Sequence, residues 1–167
     1  MRIKKFIVGV ATSVCMTLLL FSIDVHGSEL DLPKAGFYAD LEAPVEPYYI
    51  LTEEEQLLLK QIGVHEAGEI DEEGIAHVMQ VVMNRCEDER FPDTVSEVIF
   101  QKNPRQFTTA KQLARVKTTE AADNALESVM YGEYVDNEAL YFESLKGKVW
   151  GKVHTYLFSY GGHDFYK

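Results

Sequence analysis

The stretch that decides the fold is H-E-A-G-E-I-D-E-E-G-I-A-H-V-M-Q-V-V-M-N-R, which occupies residues 65–85. Its second half repeats apolar side chains at helical spacing, at Ile75, Val78, Met79, Val82 and Met83. This pattern predicts a buried helix over residues 72–86. The first half ends an earlier helix, which begins at the capping box of Thr52 and stops at Gly68. The sequence therefore places His65 and Glu66 in the last turn of one helix, shortly before a second helix.

The hydrophobic periodicity changes towards the C-terminus. Thr94, and then Thr118 or Thr119, fit the N-caps of two further helices, and residues 103–117 are expected to be mostly loop. After Asp136, short extended segments follow at residues 139–142, 153–158 and 163–166. Helices first and a small C-terminal β-sheet last predict an α+β domain with a helix-rich N-terminal part.

The composition is that of a globular protein with an acidic balance of charge. The chain has 167 residues, of which 46% are hydrophobic and 26% are charged, and this predicts one folded domain. Its 16 basic and 27 acidic residues give a net charge of −11. Because no basic patch stands out, we expect no nucleic-acid partner. Two cysteines are too few for a disulfide scaffold.

The N-terminus is typical of a targeting segment. Arg2, Lys4 and Lys5 precede an apolar run over residues 6–23, and small or polar residues follow. This order predicts a signal peptide over residues 1–27 and a protein that is secreted, extracellular or at the cell wall. The run is also close to the length that spans a bilayer, so an uncleaved anchor is the alternative and the only expected membrane contact. Residues 28–50, which hold three of the five prolines, are predicted to be a linker.

Histidine and acidic residues cluster within residues 65–77, and the first chemical interpretation of this cluster is a metal site. A zinc protease of the H-E-x-x-H type needs a second histidine one helical turn after the first. Position 69 is a glutamate, so the motif lacks one ligand. A zinc metallohydrolase using His65, Glu69 and His77 therefore remains an alternative.

The second interpretation is a general acid at Glu66. Small residues flank this carboxyl at the end of a helix, which leaves room for a substrate chain. Partial burial would raise the pKa of the carboxyl, so that it keeps the proton that a leaving oxygen needs. A solvated carboxylate at a helix end fits the same spacing, and the residues alone leave both possibilities open.

Several blocks of sequence together resemble one family. They are the stretch at 65–85, R-F-P-D-T-V-S-E-V-I-F-Q at 90–101, Q-F-T at 106–108, A-L-Y-F at 139–142 and G-G-H-D-F-Y at 161–166. In this order, from about Leu57 to the C-terminus, they are similar to the spore cortex-lytic and cell wall hydrolase family of the SleB/CwlJ type. The resemblance implies a lysozyme-related fold and a catalytic cell wall hydrolase domain over residues 51–167. It also implies that the partner is the glycan strand of peptidoglycan.

The resemblance implies that Glu66 is the only acid/base of a lytic transglycosylase, which needs no metal and no cofactor. Glu66 would protonate the glycosidic oxygen between N-acetylmuramic acid and N-acetylglucosamine, and the muramyl 6-hydroxyl would close a 1,6-anhydro ring. A hydrolase would need a second carboxylate. Glu69 is the nearest candidate in sequence, although it could instead form a hydrogen bond to Gly74 at the start of the next helix.

The remaining site residues follow only from their position in the blocks. Gln106 and Phe107 are expected on the rim of the cleft, and Tyr141 and His163 are expected to line it. Asn84 and Arg85 are expected to brace the cleft from the end of the second helix. Glu143 is a departure, since the family often has Asn or His there. A non-catalytic domain that binds peptidoglycan is a further alternative, and a role in spore cortex or in vegetative wall remodelling is equally compatible with the sequence.

Overall fold

The computed structural model describes residues 45–102, 105, 107, 110–146 and 149–167. The predicted signal peptide and most of the predicted linker lie outside these ranges. The helices are α1 (Glu53–Ala67), α2 (Glu72–Glu87), α3 (Val95–Ile99), α4 (Ala110–Leu113) and α5 (Glu120–Met130). The strands are β1 (Tyr141–Ser144), β2 (Tyr156–Tyr160) and β3 (His163–Tyr166), with a short 3₁₀ turn at Trp150–Lys152. Helices followed by a small sheet confirm the predicted α+β class.

Helix α2 is the centre of the core. The five apolar residues that predicted it are all fully buried, and the helix packs against both α1 and α5. The capping box of α1 is also present, because the Thr52 side chain accepts from the backbone N–H of Glu55 and the Glu55 carboxylate accepts from that of Thr52. A local sequence signal therefore fixes where α1 begins.

The antiparallel sheet has the order β1-β3-β2. Phe142, Phe165 and Phe158 pair across the three strands and join the core, so this is the inner face. Tyr141 and Tyr166 form the next pair and project from the opposite, outer face. Tyr156 also pairs with Tyr166, and an irregularity in β2 between Tyr156 and Phe158 places these two residues on different faces although they are two positions apart. The strand predicted over residues 153–158 begins only at Tyr156, because the 3₁₀ turn occupies the residues before Val153. That part of the prediction is wrong.

The end of α2 ties the helices to the approach of β1. The Asn84 side-chain amide donates to the carbonyl oxygens of Asn137 and Ala139. Arg85 is 2% exposed, and its Nε donates to the carbonyl oxygen of Leu140 at 2.6 Å. These bonds satisfy backbone carbonyls just before the sheet, so Asn84 and Arg85 hold the end of α2 to the approach of β1.

The last residues of the predicted linker lie within the compact unit, which extends from Glu46 to Lys167. Tyr49 is 1% exposed and its backbone N–H donates to the carbonyl oxygen of Met130 at 3.0 Å. Its hydroxyl accepts a hydrogen bond from the Gln80 side chain. The chain is therefore anchored to α2 and α5 before α1 begins.

Gly63 allows α1 and α2 to approach closely, and this gives a stability prediction. A Cβ at this position would lie 2.7 Å from Cγ2 of Ile75 and 3.3 Å from its carbonyl oxygen. We expect Gly63→Ala to lower the free energy of unfolding by about 1–3 kcal/mol, as overpacking does in other cores. Urea denaturation measures the change.

Two further variants separate the causes. Gly68→Ala introduces a side chain into open space at φ 97°, so it reports backbone strain alone. The double variant Gly63→Ala/Ile75→Ala removes the clashing methyl group and should be less destabilised than the sum of its single variants. Additive effects would show that contact with Ile75 is not the cause.

Candidate active site

Glu66 lies on the buried face of α1. Leu59, Ile62 and Glu66 fall at helical spacing, and the first two are fully buried. The Glu66 side chain therefore emerges at the end of the apolar stripe and is half-buried. Burial raises the pKa of its carboxyl, and the nearby charge of His65 lowers it by a smaller amount. No residue within the described ranges donates a hydrogen bond to this carboxyl, so little opposes its protonated form.

The loop after Glu66 is joined to the sheet. Asp71 caps α2 by accepting from the backbone N–H of Gly74, and it also accepts from the Tyr160 hydroxyl at 3.2 Å. A Cβ on Gly161 would lie 3.1 Å from the Asp71 carboxylate, so the β2–β3 turn packs directly on this loop. The end of α1, the α1–α2 loop and the tip of the sheet therefore form one junction, with the Glu66 carboxyl in the helical turn beside it.

Glu69 does not form the hydrogen bond that the sequence left open for it. Asp71 accepts from Gly74 instead, since it immediately precedes the helix and has the shorter side chain. The preference for Asp at N-caps is the signal that could have identified it. Glu69 is exposed and borders an open groove of about 470 Å³. The groove is lined by Val64, His65, Gly68, Glu69, Arg115, Val116 and Lys117.

Phe107 corrects the expected rim of the cleft. Its side chain is 3% exposed, its ring lies 5.9 Å from that of Phe142, and the Arg85 guanidinium lies over it at 5.3 Å. A ring enclosed in this way belongs to the core and offers no surface to a substrate. Gln106, the other predicted rim residue, lies outside the described residues.

Tyr141 and His163 do not line one cleft together. Tyr141 is on the outer face of the sheet, where the His154 ring stacks on it at 3.8 Å. His163 pairs with Ser144 at the other end of the strands and lies edge-on to Phe142, on the inner face. Tyr141 and Ser144 are three positions apart on β1, and an odd separation places Tyr141 and the partner of Ser144 on opposite faces. His163 directly follows the β2–β3 turn that packs on Asp71. Of Tyr141 and His163, His163 is therefore the residue nearer the junction.

The alternative zinc site is not assembled. The His77 ring is surrounded by the rings of Tyr134, Phe158, Tyr160 and Phe165. Its Nδ1 lies 3.1 Å from the Asn137 amide. Among the residues that the structure describes, no three His, Cys, Asp or Glu side chains come close enough to hold a metal ion. His65, Glu69 and His77 are all described, so this donor set is wrong.

Comparisons with known proteins agree with the fold. The catalytic domain of the germination-specific lytic transglycosylase SleB from Bacillus anthracis superposes with a TM-score of 0.61 at 26% identity, covering 70% of this chain and 97% of that one. The catalytic domain of the Bacillus cereus SleB protein gives a TM-score of 0.58 at 27% identity, covering 70% of this chain and 93% of that one. These similarities confirm the predicted lysozyme-related fold.

No curated protein sequence matches the chain. A family model described as Cell Wall Hydrolase matches residues 69–166, which is more than half of the sequence and begins just after Glu66. The matched range contains most of the α1–α2 loop, the core helix α2 and the whole sheet. The chain therefore belongs to the cell wall hydrolase family.

Proposed function

We propose that this cell wall hydrolase cleaves the glycan strands of peptidoglycan as a lytic transglycosylase, with Glu66 as its single acid/base. The observation that carries the proposal is the half-buried carboxyl at the end of α1, whose pKa is raised by burial. Burial favours the protonated form of this carboxyl, and departure of a glycosidic oxygen requires a proton donor. The Bacillus anthracis neighbour, which is described as a lytic transglycosylase, supports the same class of reaction.

The proposed reaction uses one carboxyl twice. Glu66 gives its proton to the glycosidic oxygen of the N-acetylmuramic acid to N-acetylglucosamine bond as the bond from C1 to that oxygen breaks. The Glu66 carboxylate then takes the proton of the muramyl 6-hydroxyl, and O6 bonds to C1 to close the 1,6-anhydro ring. The enzyme is left with its starting proton, and no water is consumed. The nucleophile belongs to the substrate, so no second carboxylate is needed.

We also propose that the enzyme acts outside the cell. The basic and apolar N-terminal segment supports secretion through a signal peptide over residues 1–27, with the linker and the catalytic domain of residues 51–167 following it. None of the helices in the described part of the chain is long and apolar enough to cross a membrane. Whether the wall involved is the spore cortex or the vegetative wall is decided by which purified material the enzyme degrades.

Fragment masses test the proposed reaction. Purified peptidoglycan is digested with the protein, and the soluble products are analysed by mass spectrometry. Anhydromuramyl ends support the transglycosylase, whereas reducing ends indicate a hydrolase with a second carboxylate. Absence of released fragments, together with retention of the protein on the insoluble wall, indicates a binding domain. A parallel digestion with EDTA should release the same fragments, and a loss restored by zinc would indicate metal catalysis.

The charge beside Glu66 predicts the pH dependence of cleavage. Glu66 must be protonated to act, so activity falls as the pH rises through its pKa. Protonated His65 lowers that pKa, so we expect His65→Gln to move the alkaline limb of the profile to higher pH. His65→Lys keeps a cation at this position and should leave the limb close to that of the wild type.

The measurement is kcat/KM on purified peptidoglycan as a function of pH for the three proteins. This quantity reports the ionisation of the free enzyme. Coincident limbs for His65→Gln and His65→Lys would mean that Glu66 is not the group that sets the profile.

A further inference from the structure

The outer face of the sheet carries an ordered set of aromatic and polar side chains. Tyr141, Tyr166 and Tyr156 form one row across the three strands. Glu143 and Asp164 form the next row with Ser159, which pairs with Asp164 on β2. The core lies against the other face, although Tyr166 is itself buried and Tyr141 also packs against Arg85.

Glu143 holds a loop over one end of this face. Its carboxylate accepts from the backbone N–H groups of Val149, Trp150 and Gly151 at 2.6, 3.2 and 3.4 Å. It also accepts from the Tyr166 hydroxyl at 3.0 Å. These four bonds lower the pKa of Glu143, although partial desolvation is the largest single contribution and acts against them. The residue that departs from the resembled family therefore fixes the 3₁₀ turn to the sheet.

The loop places further rings on the face. The Trp150 ring lies 5.0 Å from that of Tyr141 and 5.3 Å from that of His154. Beside these rings an open depression of about 460 Å³ remains, which is within the usual size of ligand sites. It is lined by Gly151, Lys152, His154, Tyr156, Asp164 and Tyr166.

Tyr156 is the exposed aromatic wall of the depression. Its side chain is 55% exposed, unlike that of Tyr166, on which it packs edge-on. Its hydroxyl is 2.9 Å from the Ser159 hydroxyl, which in turn donates to the Asp164 carboxylate. The exposed ring is therefore held in one orientation before any ligand arrives, and this lowers the entropic cost of binding.

We propose that this depression, the outer-face site, binds sugar units of a glycan strand and holds the enzyme on the wall. Amino-sugar rings present an apolar face of C–H groups, which suits the Tyr156 ring, and a rim of hydroxyl and acetamido groups, which suits Asp164 and His154. Lys152 adds a cation for the lactyl carboxylate of a muramic acid. The choice of this polymer rests on the proposed function, while the site itself rests on its geometry.

Trp150 allows the site to be observed directly. It is the only tryptophan in the chain, and its ring contacts His154 in the wall of the depression. Glu66→Gln protein, which should not cut the polymer, is titrated with peptide-free glycan strands while tryptophan emission is recorded. We expect a saturable change in tryptophan emission as glycan is added. The affinity for glycan should be at least about fivefold weaker in Glu66→Gln/Tyr156→Ala, as for the loss of a central aromatic contact. Tyr156→Phe on the same background keeps the ring and should retain most of the affinity.

Tyr131→Ala on the same background is the matched control. Tyr131 is similarly exposed directly after α5 and is not among the residues that line the depression, so its removal should leave the titration unchanged. Circular dichroism confirms that each variant is folded. The proposal is overturned if Tyr156→Ala titrates like Tyr131→Ala, if emission does not respond to glycan, or if free stem peptides give the same response.

The two proposals fail separately. Intact titrations with no fragments from wild-type digestion would contradict the proposed cleavage and keep the outer-face site. Normal fragments with no titration would remove the outer-face site and leave the cleavage.

Discussion

Replacement of Glu66 by Gln is expected to lower glycan-strand cleavage by at least about 100-fold, because a positioned general acid typically contributes a factor of 10² to 10⁴. Gln has nearly the same size as Glu and can donate a hydrogen bond, but it cannot give a proton to the leaving oxygen. It also cannot accept one from the muramyl 6-hydroxyl. Both halves of the proposed reaction are lost together, so kcat should fall more than KM changes. The measurement is the rate of release of soluble fragments.

The same substitution should not destabilise the domain at neutral pH. Burial raises the pKa of Glu66 above its usual value of 4.5. A folded-state pKa above the unfolded value contributes stability below that unfolded pKa, and this contribution is lost as the pH rises through the folded pKa. Above the folded-state pKa, ionisation of the half-buried carboxyl is therefore a cost to stability that Gln removes. We expect the urea midpoint of Glu66→Gln to equal or exceed that of the wild type.

Glu127→Gln is a suitable control for this experiment. Glu127 is exposed on α5, so the same change in charge and shape there should leave both cleavage and stability as they are. Cleavage by Glu66→Gln at a rate close to that of Glu127→Gln would remove Glu66 from the acid role. Loss of cleavage with a collapsed urea midpoint would show that Glu66 is structural instead.

The helical part of the fold could be predicted because its signals are local. Ile75, Val78 and Met79 occupy consecutive turns of one face, and a pattern of this kind does not depend on distant residues. Thr52 caps its helix through a residue only three positions away. The position of Glu66 follows from the same rule, since helical spacing from Leu59 carries it to the buried face.

The sheet and the walls of the site depend on distant contacts. Tyr141 and His163 were expected on one surface, but the register of β1 and β3 places them on opposite faces. Val153 has a β-branched side chain, which favours a strand, yet it lies before β2. It directly follows the 3₁₀ turn, which Glu143 of strand β1 holds by a hydrogen bond. Phe107 is enclosed by Phe142 and Arg85, neither of which is near it in sequence. These outcomes depend on pairing partners, which hydrophobic periodicity does not specify.

The largest stability effect is expected at Arg85. Its buried guanidinium lies 4.8 Å from the ring centre of Phe91 and 5.2 Å from that of Tyr141, and its Nε donates to the carbonyl oxygen of Leu140. Burial lowers the pKa of Arg85 to about 10, which shows how strongly its charge is desolvated. Arg85→Ala leaves a cavity between the rings and an unpaired carbonyl, so we expect a loss of about 3–5 kcal/mol in the free energy of unfolding.

Arg85→Met separates packing from charge. Methionine fills much of the same volume and removes the desolvated cation, so its cost should be clearly smaller than that of Arg85→Ala, although the carbonyl of Leu140 stays unpaired. Arg90→Ala is the matched control, since Arg90 is 60% exposed and its ion pair with nearby Asp88 is worth under about 1 kcal/mol. Urea denaturation of the three variants gives the order. A Met variant as unstable as the Ala variant would mean that the hydrogen bond to Leu140, rather than the packing of the three rings around Arg85, holds α2 to the sheet.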